Sequence, residues 1–119
     1  MTTTPHMPAA VTEYVEASNA YDGDRLAAVF ADDAFVNDAR REFWGAPAIR
    51  SWLEKEIIGD KVTMDVTGVR EHHGVVIVDA AMDGQFDKTN LPDPLILTHY
   101  FTVHDGRIVS LIIIRNVAA

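Results

Sequence analysis

After Gly59 the hydrophobic pattern of this chain is strand-like to its end, and no other feature limits its possible folds as much. Before Gly59, apolar residues recur mainly at three- and four-residue steps, as in amphipathic helices. After it they alternate, as in half-buried strands. A helical half followed by a run of strands implies an α+β domain and argues against a βαβ array.

The first half divides further. Residues 9–21 read as a helix with Val11, Tyr14, Val15, Ser18 and Tyr21 on one face. Asp22-Gly23-Asp24 breaks it and offers an N-cap to a short second helix, whose buried side is Leu26, Val29 and Phe30. Residues 34–39 are predicted as a strand with Ala34, Val36 and Asp38 on one face, and residues 40–44 as a second strand after a tight turn. Gly45 and Pro47 open a third helix, striped with Ile49, Trp52, Leu53 and Ile57, and Gly59 closes it.

The second half is predicted as four strands over residues 61–72, 75–86, 95–104 and 108–117. Asp105-Gly106 marks a hairpin between the last two, and residues 87–93 form a loop. The last strand is apolar on both faces, with Ile108, Ile112 and Ile114 on one and Val109, Leu111 and Ile113 on the other. An antiparallel strand with one wet face should alternate, so the second face is expected to be covered. A second copy of the chain, forming a homodimer through the sheet, is the simplest cover; a helix or the chain's own tail is the alternative.

Bulk properties narrow the partners. At 119 residues the chain is long enough for one domain with an unstapled core, assigned to residues 9–119. Residues 1–8 have neither a basic nor an apolar stretch, so they read as a short mobile tail and not as a signal peptide. Ten basic against eighteen acidic residues, a net charge of −8, argue against nucleic acid and anionic membrane surfaces. No apolar run approaches the ~20 residues of a membrane span. The absence of cysteine excludes disulfides and thiolate metal sites, and a cytoplasmic location is expected.

Three residues carry potential chemistry. Asp38 shares its strand face with Val36, and a carboxylate among apolar groups becomes a usable base near neutrality. Its alternative is a solvated side chain, or one paired with Arg40 or Arg41. Tyr14 lies on the buried stripe of the first helix, where a phenol can donate to a developing oxyanion or simply serve the core. His99 shares a face with Leu95, Leu97, Phe101 and Val103, and is either a satisfied core histidine or a ligand contact. His72 and His73 are adjacent on a strand, hence on opposite faces, and no His or carboxylate spacing suggests a metal site. No phosphate-binding glycine loop and no nucleophile elbow are present.

The run from Tyr14 through Phe30-Ala-Asp-Asp-Ala to Val36 and Asp38, with Gly45 and Ile49 and the Asp105-Gly106-Arg107-Ile108 hairpin, resembles the SnoaL-like and ketosteroid isomerase-like families of the nuclear transport factor two-like superfamily. The resemblance implies a cystatin-like α+β barrel, a cone in which a curved antiparallel sheet wraps around three N-terminal helices. It implies Asp38 as a base moving a proton next to a carbonyl and Tyr14 as an oxyanion donor, the two falling in one register without a gap. His99 falls, after one gap, where the isomerases place a protonated aspartic acid as second oxyanion donor. Trp44, Trp52, Phe101 and Met64 are the expected substrate-binding wall, each also eligible for the core.

The activity so implied is a cofactor-independent isomerase or cyclase acting on a small apolar carbonyl compound. A non-catalytic ligand-binding or dimeric assembly module is the second reading, since this fold hosts many functions. Epoxide hydrolysis, as in limonene epoxide hydrolase relatives, is the third. It needs an Asp-Arg-Asp set such as Asp38, Arg70 and Asp79, yet strand parity puts Arg70 with Met64 and Val66, and Asp79 opposite Val76 and Val78.

Overall fold

The computed structural model describes residues 7–115. The first six positions of the expected tail, and positions 116–117 of the expected last strand, lie outside the described residues. Helix α1 (Ala9–Asn19) begins after Pro8, whose carbonyl accepts from the amides of Val11 and Thr12, each at 3.0 Å. Helix α2 (Gly23–Ala28) is capped by Asp22, whose side chain accepts from the Arg25 amide at 3.1 Å.

Phe30 does not end α2 but starts strand β1 (Phe30–Asp38), because it pairs with Ile108 of the last strand. Ala39 and Arg40 turn the chain in left-handed conformation, φ 53° and 71°, into β2 (Arg41–Trp44). Helix α3 (Ala46–Trp52) follows Gly45, and then widens into a π-helical segment, Leu53–Ile58. The Gly59 amide there donates to the Glu54 carbonyl, five residues back, at 2.9 Å. A Cβ on Gly59 would collide with the Lys55 carbonyl, so only glycine closes this wide turn.

Strands β3 (Thr63–His72), β4 (Val75–Asp83), β5 (Leu95–His104) and β6 (Arg107–Arg115) complete the chain. All six strands form one curved, unclosed sheet in the order β2-β1-β6-β5-β4-β3. Four of the pairings are antiparallel; β1 and β6, the first long strand and the last, run parallel. Alternation along a strand sets its faces but not its direction, so this pairing leaves no local mark in the sequence.

The helices cover one face of the sheet. Val11, Tyr14, Leu26, Val36, Trp52, Leu53, Val78, Phe101 and Leu111 are all fully buried between the two layers. Each large apolar side chain so buried contributes about 1.5–3 kcal/mol. No helix among the described residues is long and apolar enough to cross a membrane.

Two irregularities reset the alternation expected from sequence. A bulge between Val66 and Gly68 turns Val69 onto the core and Arg70 outward, so Arg70 does not share a face with Met64. A second one in the β5–β6 pairing places Ile108 inside with Leu111 and Ile113. Ile112 and Ile114 remain on the outer face, 38% and 45% exposed.

Candidate active site

A cavity of about 490 Å³ opens between α1, the π-helical segment and the inner face of the sheet. That volume suits a small organic molecule. Asp38 reaches it from the end of β1, Tyr14 from the middle of α1 and His99 from β5; all three line it. Most of the remaining wall is aliphatic or aromatic, including Ile57, Met64, Met82, Phe86, Leu95 and Leu97.

Asp38 is held from two sides. The Trp52 indole Nε1 donates to its Oδ2 at 3.0 Å, and Arg41 Nη2 donates to the same oxygen at 2.9 Å. Among the described residues both side-chain donors fall on Oδ2, which leaves Oδ1 with its lone pairs free. Arg41 also forms a two-pronged pair with Glu56, at 2.7 and 2.8 Å. The side chain of Asp38 is 19% exposed, whereas Arg41 is half exposed at the cavity mouth. Burial raises the Asp38 pKa above the usual carboxylate range, and the Trp52 hydrogen bond and the Arg41 charge only partly offset it.

The Tyr14 ring is clamped edge-on between Phe30 and Phe101, with centroids 6.0 and 5.3 Å away. Burial, reinforced by the Asp38 charge, pushes its phenol far above the ordinary value. Tyr14 therefore stays protonated and available as a donor. His99 is buried, and burial lowers its pKa to about 4. Its Nδ1 lies 3.3 Å from the Val78 carbonyl, to which the tautomer protonated at Nδ1 donates. With the proton on Nδ1 the Nε2 atom accepts, and with the proton on Nε2 the ring keeps the donor that an oxyanion needs.

The expected wall is partly redrawn. Met64 lines the cavity. Trp44 does not: on edge strand β2 alternation sends Phe43 inward and Trp44 outward, where it packs on Phe35 at 4.2 Å and is 64% exposed. Phe101 sits under α1 as core and supports Tyr14. Trp52 is core as well, and meets the site only through its hydrogen bond to Asp38.

Arg70 and Asp79 do pair, at 2.6 Å, but neither lines the cavity, so no Asp-Arg-Asp set forms with Asp38. His73 lies beyond the end of β3 in a turn, φ 50°, and its ring meets that of His72 edge-on, 4.4 Å between centroids; strand alternation does not separate the two. Among the described residues no group of three or more His, Asp or Glu has a metal-holding arrangement.

The pairing of Asp38 with Arg41 that the sequence offered as an alternative is present, whereas Glu56 behind Arg41, the Trp52 hydrogen bond to Asp38 and Ser18 as a cavity residue were not foreseen. Arg41 and Glu56 come from different elements and carry no shared local signal. For Ser18 a signal existed: it is a hydroxyl on the otherwise apolar stripe of α1.

Fold and cavity together define a helix-lined cone of the cystatin-like, nuclear transport factor two-like class, with a carboxylate and a phenol at one apolar pocket. The model of the SnoaL-like domain matches residues 11–111, and the chain belongs to that family. A protein from Sinorhizobium meliloti, proposed to be a polyketide cyclase, is similar at 30% identity and a TM-score of 0.81, over 91% of this chain and 95% of that one. A protein with a ketosteroid isomerase-like fold from Catenulispora acidiphila, solved in complex with trimethylamine, has 20% identity and a TM-score of 0.73, over 94% and 86%. A protein from Kribbella flavida, proposed to be a ketosteroid isomerase, has 14% identity and a TM-score of 0.75, over 94% and 78%. These last two show likeness of fold alone. Among curated proteins no relative matches.

Proposed function

We propose that the protein is a cofactor-independent isomerase or cyclase that moves a proton α to the carbonyl of a small apolar substrate. One observation carries the reading: Asp38, made more basic by burial, and the protonated phenol of Tyr14 line the same apolar cavity. Oδ1 of Asp38 takes the α-proton, the electron pair moves into the carbonyl, and Tyr14 donates a hydrogen bond to the resulting enolate oxygen. In isomerisation Asp38 returns the proton to a different carbon of the conjugated system. In cyclisation the enolate carbon attacks a second carbonyl, and the proton held by Asp38 goes to the new alkoxide. A placed base and an oxyanion donor each supply about 10²–10⁴-fold. The likeness to a proposed polyketide cyclase supports the same chemistry.

The test is α-hydrogen exchange. Enolisable ketones such as 2-tetralone are incubated with the protein in heavy water, and deuterium uptake is followed by NMR. Wild type should exchange well above buffer, and Asp38→Asn should lose about 100-fold or more of that rate. Exchange that is unchanged in Asp38→Asn removes the base role.

The outer face of the sheet supports a companion proposal, a homodimer. Trp44, Phe35, Ile112 and Ile114 lie there on β2, β1 and β6. The outward residues of β5 from Ile96 to Thr102 are uncharged. On a chain of net charge −8, this is a face where a second copy can approach with little like-charge repulsion.

A further inference from the structure

Ser18 follows Tyr14 by one helical turn on the same face of α1, and both line the cavity. Ser18 is 1% exposed, yet its Oγ has no hydrogen-bond partner among the described residues. A serine inside a helix ordinarily satisfies itself on the carbonyl four residues back, which here is that of Tyr14. It does not do so. Its position is also not an accident of a loose helix end. The neighbouring Asn19 side chain clamps α1 to β3, donating to the Met64 carbonyl at 3.0 Å and accepting from the Met64 amide at 2.7 Å. The hydroxyl is thus held in an otherwise apolar stretch of wall, where a buried polar group without a partner is costly.

We propose that Ser18 is the specificity-determining residue of this cavity. Its hydroxyl hydrogen-bonds a second oxygen of the substrate, so the preferred ligand is an apolar carbonyl compound that carries a further hydroxyl or carbonyl group away from its reacting carbon. This rests on the reading of the cavity as a carbonyl site. Tyr14 meets the reacting oxygen near Asp38, and Ser18 meets the other oxygen nearer the clamped end of α1. A serine hydroxyl both donates and accepts, so either kind of oxygen satisfies it. A hydrocarbon placed there would leave it unpaired, and the cavity discriminates against such a ligand by that penalty.

The experiment compares trans-1-decalone with its ring-hydroxylated and diketone derivatives, by isothermal titration calorimetry, on wild type and Ser18→Ala. At least one oxygenated probe should bind wild type about tenfold tighter than the parent ketone. Ser18→Ala should erase that advantage while keeping the affinity for the parent. The melting temperature of Ser18→Ala should equal or exceed that of wild type, because the change removes an unpaired hydroxyl; a clear drop would reveal a protein partner and overturn the proposal. Parent binding with no oxygenated probe gaining, or an advantage that survives in Ser18→Ala, overturns the Ser18 role alone. Absence of binding by every probe overturns the carbonyl-site reading and the Ser18 role with it.

Discussion

Trp52 Nε1 donates to Oδ2 of Asp38 at 3.0 Å, and Arg41 donates to that same oxygen at 2.9 Å. One oxygen of the carboxylate is thereby held and the other is left for chemistry. Both contacts favour the ionised form, and both oppose the larger effect of burial. Trp52→Phe and Arg41→Gln should therefore each raise the Asp38 pKa further. The acid limb of the pH–exchange profile, where the base becomes protonated, should move to higher pH in both variants. Their stabilities should separate them. Trp52 is buried, and its truncation should cost about 1–3 kcal/mol in urea unfolding. Arg41 is half exposed, and its loss should cost less than about 1 kcal/mol. An acid limb unmoved in both variants would mean that Asp38 is not the titrating base.

His99 gives a prediction of opposite kind. Burial lowers its pKa to about 4, against an ordinary value of 6.5. The unfolded chain therefore binds the proton more readily than the folded one. Between those two values stability rises with pH, and on acidification it is lost progressively as pH falls from about 6.5 towards 4. The full effect is about 3 kcal/mol. His99→Gln removes the titrating ring, so its unfolding free energy should fall less between pH 7.5 and pH 4.5 than that of wild type. Equal losses in the two proteins would show that the buried ring is not what makes the fold acid-sensitive.

The general plan of the molecule was legible in the sequence because it is written in local periodicity. The faces of α1 and β1 follow from spacing, and they bring Tyr14 and Asp38 to one cavity. What spacing could not show depends on events that break it or on partners far away. The bulge at Val66–Gly68 reverses the parity that would have put Arg70 beside Met64. The Arg41–Glu56 pair joins β2 to the π-helical segment, and nothing near either residue announces it. Trp52 looked like an apolar wall because its polar atom is one of many; in the structure that atom is what meets the site. His99 was assigned to the right face, but its donor and acceptor roles depend on the Val78 carbonyl across the sheet.

Gly59 closes the π-helical segment that carries Glu56 and Ile57 to the cavity. Its φ of −60° is one any residue adopts, so backbone conformation does not demand glycine. The demand is steric, since a Cβ would collide with the Lys55 carbonyl, a backbone atom that cannot swing aside. Gly59→Ala should destabilise the protein by about 1–3 kcal/mol, although alanine is the better helix former. Displacing the segment also displaces Glu56, the carboxylate that grips Arg41 beside Asp38. A Gly59→Ala protein as stable as wild type would show that the turn can relax to ordinary α-helix.

Ile112 and Ile114 stand side by side on the outward face of β6, and Phe35 and Trp44 extend the apolar surface onto β1 and β2. In a monomer these isoleucines meet water, and replacing them with lysine should change unfolding stability by no more than about 0.5 kcal/mol each. In a dimer packed through this face the same change buries two charges per protomer against their symmetry mates, a cost no rim contact offsets. Sedimentation equilibrium at micromolar concentration should accordingly give twice the chain mass for wild type and a single chain mass for the Ile112→Lys, Ile114→Lys double variant. Because the attraction is apolar, the wild-type dimer should persist in 1 M salt, where surface ion pairs are screened within about 3 Å. A wild-type protein that sediments as a monomer, or a double variant that remains dimeric, would remove the outer face as the site of self-association.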